Sequence, residues 1–332
     1  MLEFSKMDTI SVKNLVKTYQ VFKKEPGILG TFKSLVSRKY EKVKAVDDIS
    51  FSIKEGELVG FIGPNGADKT TTLKCLSGLL YPTSGEISVL NFKPWQRKRQ
   101  FLTNISFVMG QKNQLWWDLP AIETFLLNKE IFEINDSQFK KTLGELVDLL
   151  DAKDILNIQV KRLSLGQRMK CELIAALIHL PKVLFLDEPT IGLDVVMQEK
   201  LREFVKSYNK NFHSTIILTS HYMEDVQNLA KRVIVINFGK IVFDGLLTEL
   251  VKKKAPYKLI SFMERNKDNF VIIKKLGKII EQDFPKLTIR VSSKDSNRIA
   301  SQILDNFTVE DLTIEEADIA EIIREVFEKS KR

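Results

Sequence analysis

The chain has 332 residues, 44% of them hydrophobic and 28% charged, with a formal net charge of +8. That is too long for one small domain and too apolar for a disordered chain, so a main domain with an appendage is expected. Cys75 and Cys171, both in apolar stretches, exclude a disulfide or thiolate framework and read as buried free thiols.

No stretch approaches the ~20 apolar residues that span a bilayer. The most apolar region, Leu173 to Leu186, is broken by His179, Pro181 and Lys182. The opening MLEFSKMDTI lacks the charged start and apolar run of a secretory leader, which sets a cytoplasmic expectation. Lysines are spread along the whole chain, so the positive charge reads as a solvated basic surface.

Taken in order, Ile10 to Val16 alternate as a strand that ends near the aromatic Tyr19. Residues 22–44 are rich in Lys and Arg, and Ile28, Leu29, Phe32, Leu35, Val36 and Tyr40 recur at helical spacing. This predicts a short basic amphipathic helix, packed on the domain or lying at a membrane surface. Strands follow at Ile49 to Ile53 and Leu58 to Ile62, then a glycine-containing loop and a helix over Thr70 to Leu79. Ala121 to Leu156 reads as mainly helical. Ser164 is a good N-cap for a helix running to Leu180, before Pro181.

A buried-type strand is expected at Val183 to Leu186, a helix at Met197 to Tyr208, and strands at Thr215 to Thr219, Val233 to Ile236 and Lys240 to Phe243. Such alternation predicts a mostly parallel sheet covered on both faces. After Leu250 the composition shifts, and residues 251–256 read as a linker. Beyond it come strands near Tyr257 to Met263 and Lys286 to Val291, and helices over Ser296 to Asn306 and Ile314 to Glu328. Residues 257–332 form a small α+β domain in this reading.

The loop Gly63-Pro64-Asn65-Gly66-Ala67-Asp68-Lys69-Thr70 lies between a buried strand and a helix, the context a phosphate-binding loop requires. Backbone N–H groups at the helix start surround phosphates, Lys69 neutralises charge, and the Thr70 hydroxyl suits Mg²⁺. Asp68 stands where glycine is usual. Its carboxylate opposes a polyanion by about 4 kcal/mol at ~4 Å and an effective dielectric near 20, close to a thousandfold in affinity. Further on, Val183-Leu184-Phe185-Leu186 ends in Asp187 and Glu188. One carboxylate suits the metal and the other a water.

Leu163-Ser164-Leu165-Gly166-Gln167-Arg168 resembles the signature of the ATP-binding cassette family, where LSGGQ is common. Leu165 replaces the usual first glycine. The resemblance, over roughly residues 8–250, implies a RecA-like α/β P-loop core (1–250) with an inserted helical subdomain near 113–165. It also implies ATP and Mg²⁺ as ligands. By the same resemblance Tyr19 stacks on adenine, residues 63–71 including Thr71 hold the phosphates, and Thr70, Gln111 and Asp187 serve the metal. Glu188 is the base, with Gln111 and His221 acting on the attacking water and the γ-phosphate. Ser164, Leu165, Gly166 and Gln167 face ATP bound by an opposite subunit, and Gly192-Leu193-Asp194 is the D-loop.

The implied function is that of an ATP-binding subunit working as a homodimer or paired cassette with a separate membrane permease, at the inner face of the cell membrane. The basic insertion after Tyr19, the segment Gln114-Leu115-Trp116-Trp117-Asp118-Leu119-Pro120, the form Ser164-Leu165-Gly166-Gln167 and the C-terminal appendage resemble the exporter branch. Trp116 and Trp117 stand where such proteins receive the permease. No nucleic-acid partner is expected. Two alternatives come from other classes: a non-hydrolysing regulatory subunit, motivated by Asp68, and a non-transport member acting on ribosomes or DNA.

Overall fold

Strand β1 (Asp8–Phe22) pairs antiparallel with β2 (Tyr40–Lys54) and with β4 (Ser84–Val89), giving the order β2-β1-β4. The structure is a computed structural model that describes residues 8–22, 40–220, 222–266, 269–316 and 318–329. It divides into two units, Met1–Gly245 and Leu246–Arg332.

The second sheet of the first unit has six strands. They are β3 (Leu58–Ile62), β5 (Ile105–Met109), β6 (Val183–Asp187), β7 (Thr215–Thr219), β8 (Arg232–Asn237) and β9 (Lys240–Leu246), in the order β5-β6-β7-β3-β8-β9. The pairs from β5 to β8 are parallel. Every residue of β6 and β7 is buried, as a sheet covered on both faces requires. Alternation sends Val183 and Phe185 into one apolar core and Leu184 and Leu186 into the other.

The loop after β3 leads into α1 (Lys69–Leu76), and α2 (Arg99–Leu102) precedes β5. A helical arm follows, with α3 (Ala121–Ile131), α4 (Asp136–Leu150) and α5 (Leu165–Leu177) packed through Phe125, Phe139, Leu146, Met169 and Leu173. Helices α6 (Val195–Phe212) and α7 (Met223–Leu229) complete the unit. Register places Met109, Asp187 and Thr219 level at the carboxyl ends of β5, β6 and β7. Open parallel sheets bind their ligands at that edge.

The second unit begins with α8 (Leu247–Lys254). Then β10 (Tyr257–Glu264), α9 (Phe270–Leu276), β11 (Lys278–Asp283), β12 (Lys286–Ser292), α10 (Ser296–Asn306), β13 (Val309–Glu316) and α11 (Ile319–Lys329) follow. The antiparallel order β11-β12-β10-β13 is a split βαβ arrangement of ferredoxin-like type. Its core joins Ile260, Phe262, Leu287, Ile289, Ile299 and Ile303.

Several expectations need correction. Residues 251–254 are helix rather than linker, because Leu247, Leu250 and Val251 form one apolar face. The helix expected from Ile314 starts at Ile319, since Val309, Thr313 and Ile314 have pairing partners on β10 or lie beside them. The stretch 121–156 is mainly helical as expected, in two α-helices and a 3-10 turn at Lys153–Ile155, with Asn135 capping the second helix through the Gln138 N–H. Helix α5 ends at Leu177, and Leu180 takes a positive φ of 54° before Pro181. The basic helix expected within 22–44 lies, at residues 23–39, outside the described residues, and Tyr40–Lys44 belong to β2. No helix among the described residues is long and apolar enough to cross a membrane.

Candidate functional site

The loop after β3 turns sharply against β8. A Cβ on Gly63 would sit 2.4 Å from the Ile236 carbonyl oxygen, so this position admits no side chain. Lys69, at the start of α1, is buried and donates from Nζ to the carbonyls of Gly63 at 2.7 Å and Pro64 at 3.2 Å. Burial pushes its ammonium below its ordinary value, and the charges of Glu188 and Asp187 oppose that.

Asp68 caps α1 with a left-handed φ of 67°, a conformation in which a Cβ costs roughly 1–2 kcal/mol. Aspartate is among the few residues that enter it readily. Its carboxylate does not cap the helix N–H groups. Oδ1 instead accepts the Thr71 hydroxyl at 3.0 Å. Burial pushes the Asp68 carboxyl above its ordinary value and the Thr71 bond opposes it. The first-turn N–H groups of α1 thus stay without a side-chain cap, which fits a phosphate there.

Asp187 ends β6 between two hydroxyls. Thr70 Oγ1 donates to its Oδ2 at 2.7 Å, and Thr219 Oγ1 to its Oδ1 at 2.7 Å. The Glu188 N–H in turn donates to the Thr219 hydroxyl at 3.0 Å and the Thr219 carbonyl at 3.1 Å. Gln111 Nε2 donates to Glu188 Oε2 at 3.0 Å. Gly110 makes that approach possible, because a Cβ there would lie 2.0 Å from the Glu188 carbonyl oxygen.

Asn65, Gly66, Asp68, Lys69, Thr70, Thr71, Gln111, Glu188 and Ile191 line a cleft of about 420 Å³, while Gly63, Pro64 and Asp187 lie behind that lining, Asp187 joined to it through Thr70. The hydroxyl and carboxylate of Thr70 and Asp187 are hard oxygen donors suited to Mg²⁺. Not every expected residue joins the cleft. Ala67 is buried in the core, and Tyr19, partly exposed on β1, carries Lys17 Nζ 5.2 Å from its ring centroid. His221 lies outside the described residues.

The signature residues do not line the cleft either. Ser164 Oγ accepts the Gln167 N–H at 3.2 Å, and Gln167 Oε1 accepts the Ser164 N–H at 2.9 Å. This capping box holds the start of α5 rigid. Gly166 packs under Met197, and Leu165 packs against Gly192. Asp194 caps α6 by accepting the Met197 N–H at 2.8 Å.

Thr219 was not singled out by sequence reasoning, although it adjoins the Ser220-His221 pair. A second group also escaped it. Asp225 is fully buried, and its carboxylate accepts Thr190 Oγ1 at 2.6 Å, Ser220 Oγ at 2.5 Å and Arg202 Nη1 at 3.0 Å. This network ties the loop after β6, which carries Glu188 and Ile191 of the cleft, to the loop after β7. Its members lie on α6, α7 and two loops, so no sequence spacing connects them.

Comparisons with known proteins follow the same outline. The family model described as "ABC transporter" matches residues 46–191, and that of the "EvrA-like ABC transporter, C-terminal domain" matches residues 256–315. The chain is 33% identical over 239 residues to the ABC transporter ATP-binding protein NatA of Bacillus subtilis, covering 72% of this chain and 93% of that protein. It is 30% identical to the bacitracin transport ATP-binding protein BcrA of Bacillus licheniformis, covering 70% and 74%. Among solved structures, the dimeric post-hydrolysis ATP-binding cassette MJ0796 bound to ADP and Pi superposes with a TM-score of 0.58 at 26% identity, covering 71% and 98%.

Proposed function

The chain belongs to the ABC transporter family as an ATP-binding subunit, and on that premise we propose that it binds and hydrolyses ATP to drive export through a separate permease. The observation that carries this is the convergence of Lys69, the Thr70–Asp187 pair and the Gln111–Glu188 pair on one cleft. Relatives named for bacitracin transport and for linearmycin and doxorubicin resistance support the direction of transport.

In this reading the α1 N-terminus and Lys69 hold the phosphates. Thr70 and Asp187, with Gln111, would hold Mg²⁺, which supplies charge neutralisation at the γ-phosphate. Glu188 Oε2 is the acceptor for the proton of the attacking water, and the Gln111 amide orients that carboxylate. His221 contacts the γ-phosphate and Tyr19 stacks on the base. Asp68 lowers affinity without closing the site, because its carboxylate is engaged by Thr71 and leaves the helix N–H groups to the ligand. A non-hydrolysing subunit is the second reading, favoured by that same carboxylate.

Two such chains would close around two nucleotides, with Ser164, Leu165, Gly166 and Gln167 of each facing the ATP of the other. The dimeric cassette among the structural relatives supports that assembly. The chain would sit at the inner membrane face through its permease. Trp116 and Trp117, both exposed, are proposed permease contacts, and Trp116 lines a groove of about 540 Å³ with Leu79, Leu127, Ile131 and Phe132. Phosphate release by the purified chain with Mg-ATP tests the ATPase reading. Retained permease assembly and transport in both Trp116→Ala and Trp117→Ala would remove the permease contact.

A further inference from the structure

Glu172, on α5, has no part in the chemistry above, yet it is buried at 4% exposure. A buried carboxylate is costly unless hydrogen-bonded. Its Oε1 accepts the Gln114 N–H at 2.8 Å, and the next N–H, of Leu115, helps hold the carboxyl charged. Both donors belong to the segment that follows Gln111.

That segment has footholds on two bodies. The Gln114 side chain donates from Nε2 to the Phe107 carbonyl on β5 at 3.0 Å. Its backbone is held by Glu172 on the helix that Ser164 caps. One turn before Glu172, Arg168 lies 5.7 Å from the Trp117 ring centroid, a second tie between α5 and the same segment.

Resting on the ATPase reading, we propose that Glu172 is a positioning residue that fastens the segment following Gln111 to the signature helix. The reach of Gln111 to Glu188 is then set by the position of the helix that Ser164 caps. The fastening is also sensitive to protonation. Burial raises the Glu172 carboxyl to about 7, while the Gln114 N–H, the Arg168 charge and the Leu115 N–H hold it down.

Among the described residues, Arg168 is the one charge that shifts it, and the loop presents backbone donors only. Helices α3 and α4 pack on α5 without contributing a charge to it. The neighbouring Cys171 thiol, pushed up to about 12, stays neutral. A carboxylate accepts the Gln114 N–H strongly, and a carboxylic acid does so weakly.

The test uses the purified full chain. Tryptophan emission, recorded from pH 5.5 to 8.5 in a Trp95→Phe background, reports the segment through Trp116 and Trp117. The wild type is expected to show an inflection near pH 7 that Glu172→Gln abolishes. In Mg-ATP turnover, Glu172→Ala is expected to lower kcat on the order of 10-fold with a smaller change in KM, because Lys69, Thr70 and Asp187 keep their hold on Mg-ATP while Gln111 loses its reach to Glu188. Glu172→Gln, which keeps an acceptor oxygen, should restore much of that loss.

An inflection that persists in Glu172→Gln overturns the proposal, as does a folded Glu172→Ala with wild-type kcat. If the alanine variant does not fold, the emission titration of Glu172→Gln decides alone. The titration needs no turnover. An inactive wild type with the expected titration would count against the ATPase reading and leave the fastening upheld.

Discussion

Gln111 Nε2 donates to Glu188 Oε2 across 3.0 Å and so joins the segment after β5 to the end of β6. The two strands are parallel neighbours with Met109 level with Asp187. The bond exists because the strands end together and Gly110 leaves room for the Glu188 carbonyl. It puts one neutral donor on the carboxylate assigned as base.

Glu188→Gln should therefore lower kcat by roughly 10²–10⁴-fold, the usual worth of a general base, with ATP affinity kept. Steady-state phosphate release and nucleotide binding by the same preparation check it. Turnover within a fewfold of wild type would move the base elsewhere.

The Arg202–Asp225 pair is buried on both sides, at 4% and 0% exposure, so removing one partner leaves an unpaired buried charge. Arg202→Leu should destabilise the first unit by about 3–5 kcal/mol. Urea unfolding followed by circular dichroism measures it. A loss below about 1 kcal/mol would show that Asp225 finds enough from Thr190 and Ser220, consistent with a hydrogen-bonded rather than ionic role.

His179 stacks on Phe132 with centroids 3.9 Å apart, and its Nε2 lies 3.1 Å from the Ile105 carbonyl. Burial lowers its pKa from 6.5 to about 4, opposed by the Ile105 bond. The folded state thus binds fewer protons than the unfolded one between those values, and stability is lost as pH falls from 6.5 towards 4. The loss is at most about 3 kcal/mol. His179→Leu should be less acid-sensitive in unfolding at pH 4.5 against pH 7. Equal sensitivity would refute the assignment.

Glu172 acts with the opposite sign. Its folded pKa, about 7, lies above the 4.5 of the free carboxyl, so its burial costs stability as pH rises from 4.5 to 7. Glu172→Gln should lose that component, gaining on wild type by up to about 3 kcal/mol at pH 8 relative to pH 5. Thermal midpoints at the two pH values decide it, and a pH-independent difference would count against it.

Much of the site could be read from the chain because its parts are local in sequence. Gly63 to Thr70 is one strand-loop-helix, Asp187 and Glu188 end one apolar run, and Ser164 with Gln167 is a capping box three residues apart. What escaped depends on register and packing. Thr219 matters only because β7 sets it level with Asp187, and Glu172 only because the segment at Gln114 crosses α5. The lysines at 252–254 looked like a linker, although Leu247, Leu250 and Val251 make their segment a helix. Val309 to Glu316 alternates weakly as an exposed edge strand, so its apolar residues read as the start of the next helix.

Whether the phosphate site works, though weakened, turns on Asp68. The most direct measurement is Mg-ATP affinity and turnover of the wild-type chain beside Asp68→Gly. Both should turn over ATP, with affinity in Asp68→Gly tighter by about 10- to 1000-fold as one carboxylate is removed. Turnover by Asp68→Gly with none by the wild type would contradict this, leaving a subunit whose phosphate site is disabled.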